Sequence, residues 1–357
     1  MDIGLVVYLA AWYLGNYYYN SKRATQIRTA TAICASNLCA TTDALALPTR
    51  PRPRAVYNKQ CGNASGGAEF AFTLAVIQLM VGSVYAIFLW IAPDARAQPK
   101  MTFNQVLKLA PLGFWSAVAH AGAVYAMNAG AVSFGQIVKA GEPVFAVVVG
   151  YLAYNSKVSM AKLLCLVPVI GGIAIASAKE LDFTMGSLLA ASTANVASAF
   201  RGGENKRVMA GELKEAMGGV GNAYAITTLW ATVLLLPVVF ISGEYQKFDK
   251  FVEIWNADGL KGTAGNLRYN VIMSGLTFYL YNEVSTMALK SLSGVTHSVA
   301  NTAKRAVVII GSAIAFGEDM GFMKTLGCSV AIGGTFLYAV ADDIPKMLGM
   351  GGKAKKN

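Results

Sequence analysis

Residues Val295–Phe316 read VTHSVANTAKRAVVIIGSAIAF. The segment meets the length of roughly 20 mostly apolar residues that a helix needs to cross a bilayer. Near its middle stand two adjacent cations, Lys304 and Arg305. A charge at that depth costs from about 3 to more than 10 kcal/mol, so an anion is expected to meet them. The nearest acids, Glu283 upstream and Glu318-Asp319 downstream, lie roughly four to six helical turns away at 3.6 residues per turn. Neither is a built-in partner, and the pair reads as the grip on an anionic solute.

The rest of the composition agrees with a membrane setting. Of 357 residues, 55% are hydrophobic and only 14% charged, with a mean hydropathy of +0.47, whereas a soluble domain carries about 25% charged residues. The expected class is an all-α polytopic membrane protein. A formal net charge of +11 suits an anion pathway, and basic loops on anionic lipid also account for it. Cys34, Cys39, Cys61, Cys165 and Cys328 show no zinc-site or disulfide spacing.

Taken in order, Ile3–Tyr19 is apolar and aromatic and opens the chain with no transit-peptide pattern before it. Ser21–Ala55 then changes character, with several Arg, a Pro-Arg run and no apolar stripe, and is expected to be loosely ordered outside the hydrocarbon. Further spans are expected at Phe70–Ala92, Leu107–Ala129, Val132–Tyr154, Met160–Ala178, Met185–Arg201, Val220–Ser242, Tyr269–Leu289, Val295–Phe316 and Met323–Ala341. Gly243–Asn266 is the main polar connection.

An internal repeat organises these spans. Lys162–Gly172 (KLLCLVPVIGG) matches Lys324–Gly334 (KTLGCSVAIGG), and Val132-Ser133 matches Val295-Thr296 at nearly the same offset. Halves of five spans each must lie in opposite orientations, the inverted-repeat plan of secondary transporters with a site near the midplane. The expected division is 1–20 (part of the first helix), 21–55 (insertion), 56–180 (the remainder of the first five-helix half), 181–345 (the second half) and 346–357 (a basic tail).

The repeat makes Lys139 informative. It lies mid-segment in GAVSFGQIVKAGEPVF, the counterpart of the segment holding Lys304-Arg305, so both halves carry positive charge to similar depth. Pairing with Glu142 at i+3 or snorkelling to an interface is the alternative. Pro143 is expected to break or kink this helix and free backbone groups. Taken alone, His120 reads as a satisfied bundle histidine and Tyr281 as an interfacial anchor.

VSFGQIVKAGEP (132–143), LYNEVS (280–285) and THSVANTAKRAVVI (296–309) resemble, in order and spacing, the plastidic phosphate translocator family of the drug/metabolite transporter superfamily. The likeness runs from Phe70 to Tyr338. It implies ten transmembrane helices in two inverted five-helix repeats, exchange of inorganic phosphate for a phosphorylated C3 compound, and a home in the plastid inner envelope. It also implies phosphate binding at His120, Lys139, Tyr281, Lys304 and Arg305. A family hydroxyl three residues after the His is Ala123 here, leaving Asn128 and Ser133 as accessory candidates, with Asn282 beside Tyr281. The family's first-span pattern is met by Trp12-Tyr13, Asn16 and Asn20, then by Asn58-Lys59 once Ser21–Ala55 is removed, so that segment reads as a retained intron. The opening without a transit peptide implies that a version begun at Met1 mis-targets.

The expected partners are phosphate, phosphorylated small molecules and the lipid bilayer. No nucleic-acid partner, cofactor, metal site or catalytic set is expected, because no carboxylate dyad, metal-ligand cluster or Gly-Lys-Ser/Thr phosphate loop appears. Oligomeric state stays open, a monomer included. Glucose 6-phosphate or phosphoenolpyruvate exchange, nucleotide-sugar or drug/metabolite transport, and an intramembrane enzyme are the competing readings.

Overall fold

In the computed structural model, residues 54–93, 95–156, 158–177, 184–211, 213–257, 267–291, 306, 308–309 and 320–341 are described. Among them the ordered elements are all helical. The long elements are α1 (Arg54–Ala64), α2 (Ala71–Ile91, preceded by a 3-10 turn at Gly67–Phe70), α3 (Ala110–Ala129), α4 (Val132–Ala140) and α5 (Glu142–Tyr154). They continue with α6 (Met160–Ser177), α7 (Met185–Ala210), α8 (Val220–Ile241), α9 (Phe248–Ala257), α10 (Leu267–Ser291) and α11 (Phe322–Val340).

Each expected span that falls on described residues is a helix. Gly67–Ile91, Met160–Ser177, Val220–Ile241 and Phe322–Val340 are long and apolar enough to cross a membrane, and α4 with α5 makes a further, broken span bent by 41°. The break follows from Pro143, whose ring cannot continue the helix from α4 and whose nitrogen has no proton to donate. Ile3–Tyr19, residues 21–53 of the expected insertion and most of Val295–Phe316 lie outside the described residues. Arg54 and Ala55, assigned to the loosely ordered segment, belong instead to the first turn of α1.

Two differences from the expected boundaries have physical causes. The helix beginning at Met185 continues past Arg201 to Ala210, because its polar end is held by side chains rather than by apolar burial. The Tyr154 hydroxyl donates to Glu204 Oε1 at 2.7 Å, Arg207 pairs with Glu204 at 3.3 Å, and the Arg207 guanidinium lies 4.8 Å from the centre of the Tyr154 ring. The connection after α8 is not simply a polar loop. It forms a 3-10 turn at Glu244–Lys247 and the amphipathic α9, which buries Phe251 against Phe70 with ring centroids 5.3 Å apart.

Glu244 is buried and serves the far side of the bundle. Its carboxylate accepts hydrogen bonds from Phe72 N at 3.0 Å, Thr73 N at 2.7 Å and Thr73 Oγ1 at 2.7 Å. The first amide groups of a helix have no intrahelical acceptor, and an anion there also meets the positive end of the helix dipole. Glu244 thereby caps α2 from a distance in sequence.

A close helix crossing joins the two segments matched in the repeat. A Cβ on Gly172 of α6 would fall 2.4 Å from Ala331 N and 2.6 Å from Gly327 O of α11, and one on Gly334 would fall 2.9 Å from Val169 Cγ2. Close backbone approach through small residues is how membrane helices gain van der Waals contact when lipid is as apolar as the side chains. Gly172→Leu is therefore expected to abolish stable assembly of α6 with α11. A loss of monodisperse, detergent-soluble protein in size-exclusion chromatography checks it.

Candidate anion site

The bent α4–α5 element carries Lys139 at its break. Lys139 occupies the last turn of α4, where a cation also complements the negative helix end. Gly141 N bonds back to Val138 O at 3.0 Å, and Glu142 opens α5. Carbonyls beside the break also meet donors from other helices. Asn195 Nδ2 of α7 donates to Val138 O at 2.9 Å, and Thr335 Oγ1 of α11 lies 3.1 Å from Ala140 O. The backbone around Lys139 is thus irregular, yet its acceptors are supplied inside the protein, as non-helical backbone at membrane depth requires.

Lys304 and Arg305 lie outside the described residues, but the chain just after them is placed. Ile309, four residues beyond Arg305, is buried in one cluster with Ile137 of α4, Ala176 of α6 and Cys328 of α11. Ile137 is two residues before Lys139. The segment of the Lys-Arg pair and the broken helix of Lys139 therefore share a packing centre.

His120 and Tyr281 are related in a similar way. His120 is buried on α3, with its ring centroid 4.3 Å from that of Phe278 on α10. Tyr281 stands three residues after Phe278, and residues so spaced share one helix face. The structure thus brings His120 to the face of α10 that bears Tyr281. Tyr281 is half-buried.

The accessory candidates divide differently. Asn282 Nδ2 donates to Phe278 O at 2.8 Å within its own helix, so its amide proton serves α10. Asn128 is buried and packed against α1, where a Cβ on Gly62 would fall 1.9 Å from Asn128 Oδ1. It stands eight residues past His120 on the same helix, about 12 Å along the axis at 1.5 Å per residue. Ser133 is fully buried in the first turn of α4.

Glu283, the upstream acid nearest in sequence to the Lys-Arg pair, has a cation of its own on the described chain. It is buried and forms an ion pair with Arg96, which follows α2. Arg96 Nη1 also lies 3.5 Å from the Tyr279 hydroxyl. The engagement with Arg96 was not visible in the sequence, because the two residues are far apart along the chain. The extension of α7 reveals one more cation that the sequence reading placed at a span's end: Arg201 lies inside α7, half-buried. Among the described residues it has no acidic partner at ion-pair distance. No group of three or more His, Cys, Asp or Glu placed to hold a metal ion occurs among the described residues.

A bundle of apolar helices, one span of it broken beside the half-buried Lys139, marks a polytopic membrane protein. The family follows from comparison: the profile of the Triose-phosphate Transporter family matches residues 53–339, and the chain belongs to that family. Phosphoenolpyruvate/phosphate translocator 3, chloroplastic, from Oryza sativa subsp. japonica is 33% identical over 287 residues, 80% of this chain and 70% of the relative. Glucose-6-phosphate/phosphate translocator 1, chloroplastic, from Arabidopsis thaliana is 31% identical over 287 residues, with 80% and 71% covered. The triose phosphate/phosphate translocator of non-green plastids from Brassica oleracea var. botrytis is 26% identical over 339 residues, with 95% and 72% covered. A protein of known crystal structure shares the fold at a TM-score of 0.50 and 14% identity, covering 88% of this chain and 98% of its own.

Proposed function

We propose that the protein is an antiporter that exchanges inorganic phosphate for triose phosphate across the plastid inner envelope membrane. In this reading ten helices form two inverted five-helix halves, and His120, Lys139, Tyr281, Lys304 and Arg305 bind the phosphoryl group. Asn128, Ser133 and Asn282 are accessory. The observation that supports it is the shared packing of Ile137 and Ile309, which sets the helix that bears Lys139 against the chain a few residues after the Lys-Arg pair. The inverted arrangement is supported by the reciprocal contacts between matched segments: Gly172 meets Ala331, while Val169 meets Gly334, which is the same pair after exchange of the two repeats.

The chemistry follows from charge. A phosphate ester carries between one and two negative charges near neutral pH, with a second pKa of about 6. Arg305 meets two of its oxygens as a planar fork, while Lys139 and Lys304 act as point charges. His120 and Tyr281 supply neutral donors, and the chain works as a carrier, not an enzyme.

A second reading is favoured by the identities themselves. The relatives named for phosphoenolpyruvate and glucose 6-phosphate stand at 33% and 31%, above the 26% of the relative named for triose phosphate. Liposomes loaded with labelled phosphate and offered triose phosphate, glucose 6-phosphate or phosphoenolpyruvate outside decide between them. Triose phosphate is expected to drive the fastest exchange. In the same assay Lys139→Ala is expected to abolish exchange while the protein still inserts. Retained exchange would remove Lys139 from the site.

A further inference from the structure

The broken span raises a question that Lys139 alone does not answer: what fixes the turn on which its ammonium stands. A helix break frees carbonyls, and a freed carbonyl in a dry environment either finds a donor or drags the turn toward one. At this break two side-chain donors come from outside the α4–α5 segment, one of them adding to the Gly141 amide that already donates to Val138 O at 3.0 Å. Asn195 Nδ2 reaches Val138 O at 2.9 Å, and Thr335 Oγ1 stands 3.1 Å from Ala140 O. These carbonyls belong to the residues immediately before and after Lys139.

Asn195 is fully buried, and among the described residues its Oδ1 accepts no hydrogen bond. A buried amide left half satisfied is disfavoured as packing material, since an apolar residue of similar shape avoids the desolvation of both ends. Its presence is better explained by the one bond it makes. Thr335 has a single proton to donate and stands between Ala140 O and, at 2.9 Å, Ala331 O of its own helix. Its hydroxyl therefore links α11 to the break without being fully committed to either carbonyl. Gly141 completes the turn: a Cβ there would fall 2.8 Å from Ile173 Cδ1 of α6, so the break is clamped sterically as well.

We propose that Asn195 and Thr335 are positioning residues for the anion site, holding from α7 and α11 the turn that presents Lys139. They do not touch the solute. The inference rests on the reading that Lys139 binds phosphate, and it adds that the affinity of this site is set by two polar side chains from the second half of the chain.

The test uses full-length protein in liposomes, with inorganic phosphate as the probe on both sides. Asn195→Leu keeps the volume and removes the donor, and Thr335→Val does the same for the hydroxyl. A cation displaced by about 1 Å can lose about a hundredfold in effect, so each variant is expected to raise KM for phosphate about tenfold or more while the maximal rate per inserted protein changes less. Thr335→Ser, which restores a hydroxyl, is expected to return KM toward that of the unaltered protein. A purely structural role would lower the amount of inserted protein and the maximal rate and leave KM in place, which overturns the inference. So does failure of both variants to insert, because the bonds would then be a requirement of folding. The Lys139→Ala control separates the two levels: if it retains exchange, the phosphate reading itself fails. If it abolishes exchange while Asn195→Leu and Thr335→Val keep the original KM, only the positioning role fails.

Discussion

Arg305→Lys is expected to cut phosphate exchange by about ten- to a hundredfold with the protein still inserted in the membrane. The substitution keeps the charge and removes the planar fork. A hydrogen bond to a charged group is worth about 1.5–3 kcal/mol, and each 1.4 kcal/mol is about tenfold in affinity. Lysine can hold one oxygen as a point charge but not two in fixed geometry. The measurement is initial exchange in liposomes normalised to inserted protein. Exchange near that of the unaltered protein would remove Arg305 from the anion site, whereas a fall in insertion alone would assign it to folding.

The helices were legible in the sequence because a bilayer imposes a length. Any apolar run of about 20 residues has few other uses, so α2, α6, α8 and α11 begin and end close to their expected bounds. The break at Gly141–Pro143 was legible for a different reason: proline removes a donor and clashes with the preceding turn whatever surrounds it. The polar part of α7 was not. Glu204 and Arg207 fall beyond the expected end of the span at Arg201, and only the approach of Tyr154 from α5 shows how they remain helical.

Long-range partnerships were likewise hidden. Glu244 capping α2, Arg96 meeting Glu283, and Asn195 meeting Val138 each join residues far apart in sequence. No periodicity within one helix says which neighbour it faces. The repeat came nearest to such information, since Lys162–Gly172 and Lys324–Gly334 prove to be the segments of α6 and α11 that pack on each other. Of the expected anion site, sequence supplied the residue types, and the structure supplies the two junctions, Ile137 with Ile309 and His120 with Phe278.

Efflux of labelled phosphate from liposomes is expected to be strongly stimulated when phosphate or triose phosphate is present outside, and slow into solute-free buffer. The reason lies in the empty carrier. With no anion bound, Lys139, Lys304 and Arg305 would crowd positive charge near the midplane. Like charges about 4 Å apart at an effective dielectric of about 20 repel by about 4 kcal/mol. Glu283 forms an ion pair with Arg96. Closing a dry gate over such a cluster is unfavourable. A phosphate ester neutralises most of the charge and bridges the two halves, so the occluded state becomes accessible when the site is loaded, and each crossing outward requires one inward. Glu142, at the start of α5, is the acid nearest Lys139 in sequence. Were it the counter-charge of the empty site, the unloaded carrier would close, and efflux would run as fast into solute-free buffer as into buffer containing phosphate. That result would sink obligatory exchange.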